Sequence, residues 1–264
     1  MGVLNSSQPV AQWHRQRLRP SLVVVHGNGD ARKRGILPGV LDDPRARSLQ
    51  PPIRLIEVGD PELPLPTDMD LLDHPHLGAW FVNNRRVEHP KLHAFPRGLQ
   101  NSPRWHVLQN SSRQLQRHRP RLLLCHCLNL RRSQRLQKLR QLIANGFDCA
   151  SGNATLDKRL PKCGQYTSLM LDAKFVFSPF GRGHNNHRDW EALLAGAVPI
   201  VDYDDKLSEM WAGLPVMQVR DWSTVTPASL EAAWDRLHGD STVRWTKVYK
   251  PFWLHKLLNA HREG

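Results

Sequence analysis

An arginine and a glutamate three residues apart, behind two glycines, have types and a spacing that can do chemistry. They are Gly181, Gly183, Arg188 and Glu191, in the stretch Lys174 to Val201, KFVFSPFGRGHNNHRDWEALLAGAVPIV. If a helix begins just after the glycines, the amides of its first turn have no internal partners and carry the positive end of the helix dipole. Such a tip is a seat for phosphate. Arg188, in that first turn, adds a guanidinium fork that matches two phosphate oxygens. Glu191 lies on a neighbouring face. A carboxylate repels phosphate but accepts hydrogen bonds from two vicinal hydroxyls. A cation for a diphosphate and a carboxylate for a ribose are what a nucleotide-sugar site requires. The same residues also suit a plain strand–turn–helix with a surface ion pair, and the spacing alone does not separate the two.

The elements that must position these residues are legible around them. Lys174 to Ser178 is a β-branched and aromatic run that reads as a strand, ended by Pro179. Asn185 or Asn186 can cap the following helix. Trp190, Leu193, Leu194 and Ala197 fall at i, i+3, i+4 and i+7, one apolar face. Gly196 is near the helix end, and Pro199 to Val201 opens a second buried strand.

The pattern Ser178-Pro179-x-Gly181-x-Gly183, followed by Arg188-x-Trp190-Glu191-Ala192-Leu193-Leu194-x-Gly196-x-x-Pro199-Ile200-Val201, resembles the donor-site motif of exostosin-like glycosyltransferases. The resemblance implies a GT-B fold, in which two Rossmann-like domains with parallel sheets flank a cleft. It also implies a nucleotide-sugar donor, most simply a UDP-sugar, and transfer without a metal or other cofactor. On that motif Ser178, Gly181, Gly183, Asn185, Arg188 and Glu191 would be the donor-binding residues. The family often has an acid where this chain has Asn185, which puts any role of that acid in doubt.

The chain has 264 residues, room for one large or two small domains, and 40% hydrophobic residues, enough for a core. Mean hydropathy is −0.52 and the isoelectric point about 10.2. The formal net charge of +13 attracts polyanions, whether nucleic acid, anionic membrane, nucleotide diphosphates or acidic glycans. The arginines are spread along the chain without a dense tail, and no aromatic–basic RNA motif or zinc-finger spacing is present, so nucleic acid is not an expected partner. No apolar run approaches the roughly 20 residues of a membrane span. The first 20 residues lack an apolar core of secretory length, although Met1-Gly2 with Ser6 fits the loose myristoylation pattern. Relatives in eukaryotes usually sit in the Golgi behind a membrane anchor. Without one, the expectation is a soluble cytoplasmic relative, a bacterial-type one, or an incomplete gene product.

Four cysteines are too few for a disulfide scaffold. Cys125-His126-Cys127 lacks zinc-ligand spacing, and on a strand the two cysteines would share one face as small core residues. Cys149 and Cys163 can pair in an oxidising compartment.

Earlier in the chain, Ser21 to His26 reads as a buried strand, followed by the turn Gly27-Asn28-Gly29-Asp30. In an open α/β sheet, ligands bind where strands end at their carboxyl termini. His26 and Asp30 are therefore candidate bases, with Asp60, in the loop after a second strand at Ile53 to Val58, as a third. An Asn-Gly turn with solvated neighbours also accounts for His26 and Asp30, and more simply. Leu77 to Asn83 reads as a strand and His89 to Leu99 as an extended segment. Together, Trp80-Phe81-x-x-Asn84 and Lys91-Leu92-His93-x-x-Pro96-x-Gly98-Leu99-x-Asn101 are similar to the segment closing the first domain of the family.

The domain boundary is expected within the polar stretch Ser102 to Pro120, giving an acceptor-side domain over 18–115 and a nucleotide-sugar-binding domain over 119–240. A final helix, 241–264, would return to the first domain, with Pro251 kinking or breaking it. Arg121 to Leu128 reads as a strand and Arg131 to Asn145 as a helix with the stripe Leu136, Leu139, Ile143 and Gly146 past its end. Arg131 and Arg132, at the front of that helix, can touch donor phosphates or simply be solvated. Tyr166 to Ala173 reads as a short helix and Leu214 to Val219 as a strand. Asp204-Asp205 either lies beside the donor or caps the helix Lys206 to Trp211. Asp221-Trp222 reads as a structural anchor, and Pro227 as the first position of a helix.

The chain is therefore expected to move a sugar from a nucleotide diphosphate to a hydroxyl of a glycan or glycoconjugate acceptor, with inversion. The alternatives are an inactive sugar-nucleotide- or glycan-binding relative, or a basic nucleic-acid-binding protein.

Overall fold

The computed structural model describes residues 22–26, 41–42, 44, 53–58, 69–99, 119–125, 133–149, 166–181, 183–238 and 242–259; for 22–26, 57–58, 133 and 238 it describes the backbone alone. The chain divides into two compact units, Met1–Arg97 with Tyr249–Gly264, and Gly98–Val248. Both are α/β, and each holds a four-stranded sheet whose strands follow chain order and run parallel.

In the first unit the sheet is β1 (Leu22–His26), β2 (Ile53–Val58), β3 (Leu77–Val82) and β4 (Leu92–Ala94), with the one-turn helix α1 (Met69–Leu72) before β3. Parallel strands buried on both faces read as apolar runs rather than alternations, and β3, LGAWFV, does so. Ile53, Leu55, Trp80 and Val82 pack with Leu41 and Leu72 in one cluster, while Ile56, Ala79 and Phe81 pack in another. The segment expected only to be extended, His89 to Leu99, contains β4. It pairs Trp80 with Leu92 and Phe81 with His93, and Phe95 N–H donates to the Val82 carbonyl at 2.8 Å.

The second unit begins with β5 (Arg121–Leu124), shorter than the predicted strand, and α2 (Ser133–Ala144). The short helix α3 (Tyr166–Leu171) leads into β6 (Ala173–Phe177), followed by α4 (His187–Leu194) and β7 (Val198–Asp202). A 3₁₀ turn, Asp205–Leu207, runs into α5 (Ser208–Trp211). Then come β8 (Met217–Val219), a second 3₁₀ turn at Trp222–Thr224, and α6 (Pro227–His238). On one side of the sheet Phe175, Phe177, Val198 and Ile200 pack with Leu139, Leu142 and Leu230. On the other, Val176 and Ala173 pack with Met170, Ala192 and Leu194. The buried stripe of α2 is thus Leu139 and Leu142, with Leu136 and Ile143 half-buried, a rotation from the predicted face.

Two glycines are required where these helices stop. Gly146 has φ 92° and Gly196 φ 74°, the left-handed region open to glycine without strain. After α2, Phe147 N–H reaches back to Leu142 O at 3.1 Å and Gly146 N–H to Ile143 O at 3.0 Å. After α4, Ala197 reaches Ala192 at 2.9 Å and Gly196 reaches Leu193 at 3.0 Å. Both are Schellman endings that satisfy the last carbonyls.

The cysteine pairing differs from the expectation. Cys125, just past β5, is bonded to Cys149, just past the end of α2, with Cα atoms 5.6 Å apart and both side chains buried. Cys127 and Cys163 lie outside the described residues.

The last helix, α7 (Lys250–Asn259), belongs to the first unit, where Leu257 packs with Ile56, Ala79 and Phe81 and the Trp253 ring meets Phe95 edge-on at 6.0 Å. The predicted final helix is broken just ahead of Pro251: Trp245–Val248 is a 3₁₀ turn and α7 begins at Lys250. Pro251 stands in the first turn of α7, where its missing N–H would have had no intrahelical acceptor.

Candidate functional site

The loop between β6 and α4 is fixed from four directions. Ser178, the first residue past β6, donates its backbone N–H to Ile200 on β7 at 2.9 Å and its hydroxyl to Asp189 Oδ1. Asp189, third in α4, accepts the Asn186 N–H through Oδ2 at 2.6 Å, the return half of a capping box. Its carboxyl is fully buried, and that burial pushes its pKa up to about 7 against these two hydrogen bonds and the nearby Arg188 and Arg135 charges.

Phe180 is held at both ends of its peptide. Its N–H donates to Asp202 Oδ2 at 2.5 Å, and its carbonyl accepts from Arg135 Nε, on α2, at 2.8 Å. Asp202, the last residue of β7, also accepts from Lys138 Nζ and from Trp222 Nε1, each at 2.6 Å. This carboxylate ties the glycine loop, α2 and the turn after β8 together.

The Arg135 guanidinium covers Gly181. A Cβ at Gly181 would lie 2.1 Å from Arg135 Nη2 and 2.6 Å from Asn186 Oδ1. Gly181 N–H donates to Gly183 O at 3.0 Å. The amide expected to face a phosphate therefore closes the loop on itself, and the missing Cβ makes room for a cation.

Asn185, expected among the donor ligands, is fully buried. Its Oδ1 accepts from Trp190 Nε1 at 2.7 Å and its Nδ2 lies 3.7 Å from Met210 Sδ, so both ends of the amide are engaged inside the unit. Trp190 stacks on Trp211 with centroids 5.4 Å apart, which fixes α4 against α5. Arg188 is half-buried and lays its guanidinium over the Tyr166 ring at 4.8 Å, a cation–π contact that sets the plane of the fork. Glu191 is half-buried one turn further along the helix. His187 donates from Nδ1 to Gly98 O at 2.7 Å.

His184 sits between Gly183 and Asn185. Its Nδ1 is 3.0 Å from Asp204 Oδ2, a contact not aligned as a hydrogen bond and an ion pair only when the ring is protonated, and its ring lies 4.7 Å from that of Phe180. Asp204 caps the 3₁₀ turn after β7 by accepting Lys206 N–H at 3.0 Å, the capping alternative for this acid.

Of the residues singled out from sequence, Ser178, Gly181, Gly183, Asn185, Arg188 and Glu191 lie together in this loop and the front of α4. His26 closes β1, with its side chain outside the described residues, and Asp30, Asp60, Arg131 and Arg132 also lie outside them. Arg135, His184, Asp189 and Asp202 escaped sequence reasoning. Asp189 had a signal, the Asn-x-x-Asp spacing from Asn186. Arg135 had a weaker one, a basic residue one turn beyond Arg131 and Arg132. Among the described residues no group of three or more His, Cys, Asp or Glu is placed to hold a metal ion, and no helix is long and apolar enough to cross a membrane. A cavity of about 480 Å³ lies elsewhere, lined by Arg121 on β5, Asp148 after α2 and Pro227 on α6 among others.

No protein-family model and no curated protein matches the chain. Solved structures do, among them a crystal structure of the glycotransferase of kitacinnamycin, 12% identical over 96% of this chain and 74% of that one, with a TM-score of 0.34. A likeness that loose says nothing about the site.

Proposed function

We propose that the chain is a glycosyltransferase of exostosin-like type, which takes a nucleotide-diphosphate sugar, most simply a UDP-sugar, and transfers the sugar to a hydroxyl of a glycan or glycoconjugate with inversion. One observation carries this reading. Two guanidinium groups, Arg135 from α2 and Arg188 from α4, converge on the glycine loop and the front of α4, at the carboxyl end of a parallel sheet. That end of a parallel sheet is where α/β folds hold nucleotides, and paired guanidiniums suit a diphosphate.

In this reading Arg188, Arg135 and the helix dipole hold the diphosphate as it leaves, doing electrostatically what a metal does elsewhere. Glu191 accepts from the ribose hydroxyls. Gly181 gives the Arg135 guanidinium room, Gly183 closes the loop by accepting the Gly181 N–H, Ser178 fixes Asp189, and Asn185 braces the helix through Trp190. Arg131 and Arg132 would add to the positive field. The base that takes the acceptor proton would come from the first unit, with His26, Asp30 and Asp60 as candidates, in a GT-B arrangement of the two units.

The test is a calorimetric titration with nucleotide-diphosphate sugars, followed by assays for transfer and for donor hydrolysis. Binding that is lost in Glu191→Ala with the fold intact supports the reading, and unchanged affinity in that variant refutes the ribose assignment. Binding without transfer or hydrolysis identifies an inactive relative. Steeply salt-dependent oligonucleotide binding without any nucleotide-sugar affinity overturns the proposal in favour of nucleic acid.

A further inference from the structure

His184 is absent from the motif that suggested the donor site, yet two neighbours hold its ring in the glycine loop. Its ring is fixed on two sides. Phe180 lies against one, and Phe180 is itself held through its N–H by Asp202 and through its carbonyl by Arg135. On the other, Asp204 Oδ2 stands 3.0 Å from Nδ1. Asp204 is in turn anchored by Lys206 N–H at its side chain and by the Ser208 hydroxyl, which donates to its carbonyl at 3.0 Å. The two ring nitrogens lie on opposite edges of the imidazole, so Nε2 is turned away from the carboxylate. Among the described residues Nε2 makes no hydrogen bond, and the side chain is 20% exposed against 7% for Asp204. An imidazole with one nitrogen facing a carboxylate and the other open presents an N–H to an incoming anion when the ring is protonated.

We propose that His184, oriented by Asp204, is a diphosphate-binding residue of this loop, donating from Nε2 to a phosphate oxygen in its imidazolium form. The inference rests on the nucleotide-sugar reading and deepens it. It makes donor affinity depend on pH, because Nε2 can donate to a phosphate oxygen while Nδ1 faces Asp204 only when both ring nitrogens carry protons. The charged groups around His184 are Asp204 and Lys206 after β7, the exposed Asp205, Arg135 from α2, and the Asp202–Lys138 pair that holds Phe180. Asp205 is held below the usual carboxylate range by its hydrogen bond to Lys206, so it keeps its charge across the neutral range. Asp189, in the first turn of α4, changes charge near pH 7, and so does the terminal phosphate of a nucleoside diphosphate. Both are common to the wild type and to a His184 variant, and their contribution cancels in the comparison.

The experiment is calorimetric titration of UDP into the wild type, His184→Gln and Asp204→Asn at pH values from 5.5 to 8.5, with circular dichroism to verify folding. Wild-type affinity relative to His184→Gln should be about tenfold greater at pH 5.5 and should approach equality by pH 8.5, a difference of one charge-assisted hydrogen bond. Asp204→Asn, which takes away the carboxylate facing Nδ1, should weaken UDP binding at pH 5.5 and match the wild type at pH 8.5, which keeps the proposal testable if His184→Gln does not fold. Parallel pH profiles for wild type and His184→Gln, or wild-type affinity at pH 5.5 in Asp204→Asn, overturn it and leave His184 as a clamp on the loop. If UDP binds and Arg188→Ala abolishes that binding while His184→Gln does not change it, this inference alone falls. If folded wild type binds no UDP at any pH, the nucleotide-sugar reading falls with it.

Discussion

The Arg135 guanidinium occupies the space above Gly181 where any other residue would carry its Cβ, and its Nε donates to the neighbouring Phe180 carbonyl at 2.8 Å. A glycine in a strand-to-helix loop suggests a backbone opened for a ligand. Here it is opened for a side chain of the protein itself, and the positive charge of the site comes from that side chain rather than from the Gly181 amide.

Gly181→Ala therefore forces Arg135 out of its seat and presses on Asn186. Both colliding atoms are the ends of side chains that can move, so the cost should be about 1.5 kcal/mol, that of the displaced Arg135–Phe180 hydrogen bond. In an Arg135→Ala background the same substitution should cost at least about 1 kcal/mol less, because the larger of the two collisions is gone. Urea denaturation of the four proteins measures this. Costs that add to within about 0.5 kcal/mol would show that the guanidinium does not fill the space.

Asp189 gives stability an unusual pH dependence. In the folded chain its carboxyl keeps a proton up to about pH 7. In an unfolded chain an aspartate loses it near pH 4. Between those values the folded state binds more protons, so acidification from pH 8 to pH 5 favours folding, and stability is lost as pH rises through 7. The full difference from the ordinary value of 3.8 corresponds to at most about 4 kcal/mol. Asp189→Asn should flatten this dependence, with its amide donating to Ser178 and its carbonyl accepting from Asn186. Melting temperatures of the two proteins from pH 5 to 8 decide it, and parallel curves would place the titration elsewhere.

Much of the fold was legible because the signals are local. β2, β6 and β7 are apolar runs between breakers, and α4 shows its buried face at helical spacing. Gly146 and Gly196 stand where helices must stop. The short strand β4 was missed because three residues, Leu92 to Ala94, become a strand only through pairing with β3. Pro251 was legible as a breaker because its ring and missing N–H act locally, and the chain does part there into a 3₁₀ turn and α7. The site was half legible. Gly181, Arg188 and Glu191 form a sequence pattern, whereas Arg135, Asp202 and Asp204 join the loop from other elements, and Asn185 is drawn into the core by the Trp190 indole. The pairing of Cys125 with Cys149 depends on where β5 and α2 end, which spacing does not reveal.

That pairing closes a loop spanning a sequence separation of 24 residues. Cross-linking a loop of this size removes unfolded-state entropy worth about 3 kcal/mol. Cys149→Ser should lower unfolding stability by about 2–4 kcal/mol, and the wild type should fall to the same level in reductant. A wild type whose denaturation midpoint does not change with reductant would mean that the bond does not form in solution.

Asp202 accepts from Lys138, Trp222 and Phe180 at once, so its removal should be felt at a distance. Asp202→Asn keeps the shape but loses the charge and turns one acceptor into a donor. That donor then faces either the Phe180 N–H or the Lys138 and Trp222 donors, leaving a buried polar group without its partner, at about 1–3 kcal/mol. Trp222→Phe removes only the indole donor while keeping the aromatic contact with Phe177, whose ring meets it edge-on at 4.9 Å. It should cost less, about 1–2 kcal/mol. Because the Phe180 N–H anchors the platform under His184, Asp202→Asn should also weaken UDP binding, while Trp222→Phe, which leaves that bond in place, should not. Titrating UDP into both variants separates the loop clamp from the core contact. Equal losses in the two would mean that Asp202 acts through the stability of the unit rather than through the loop.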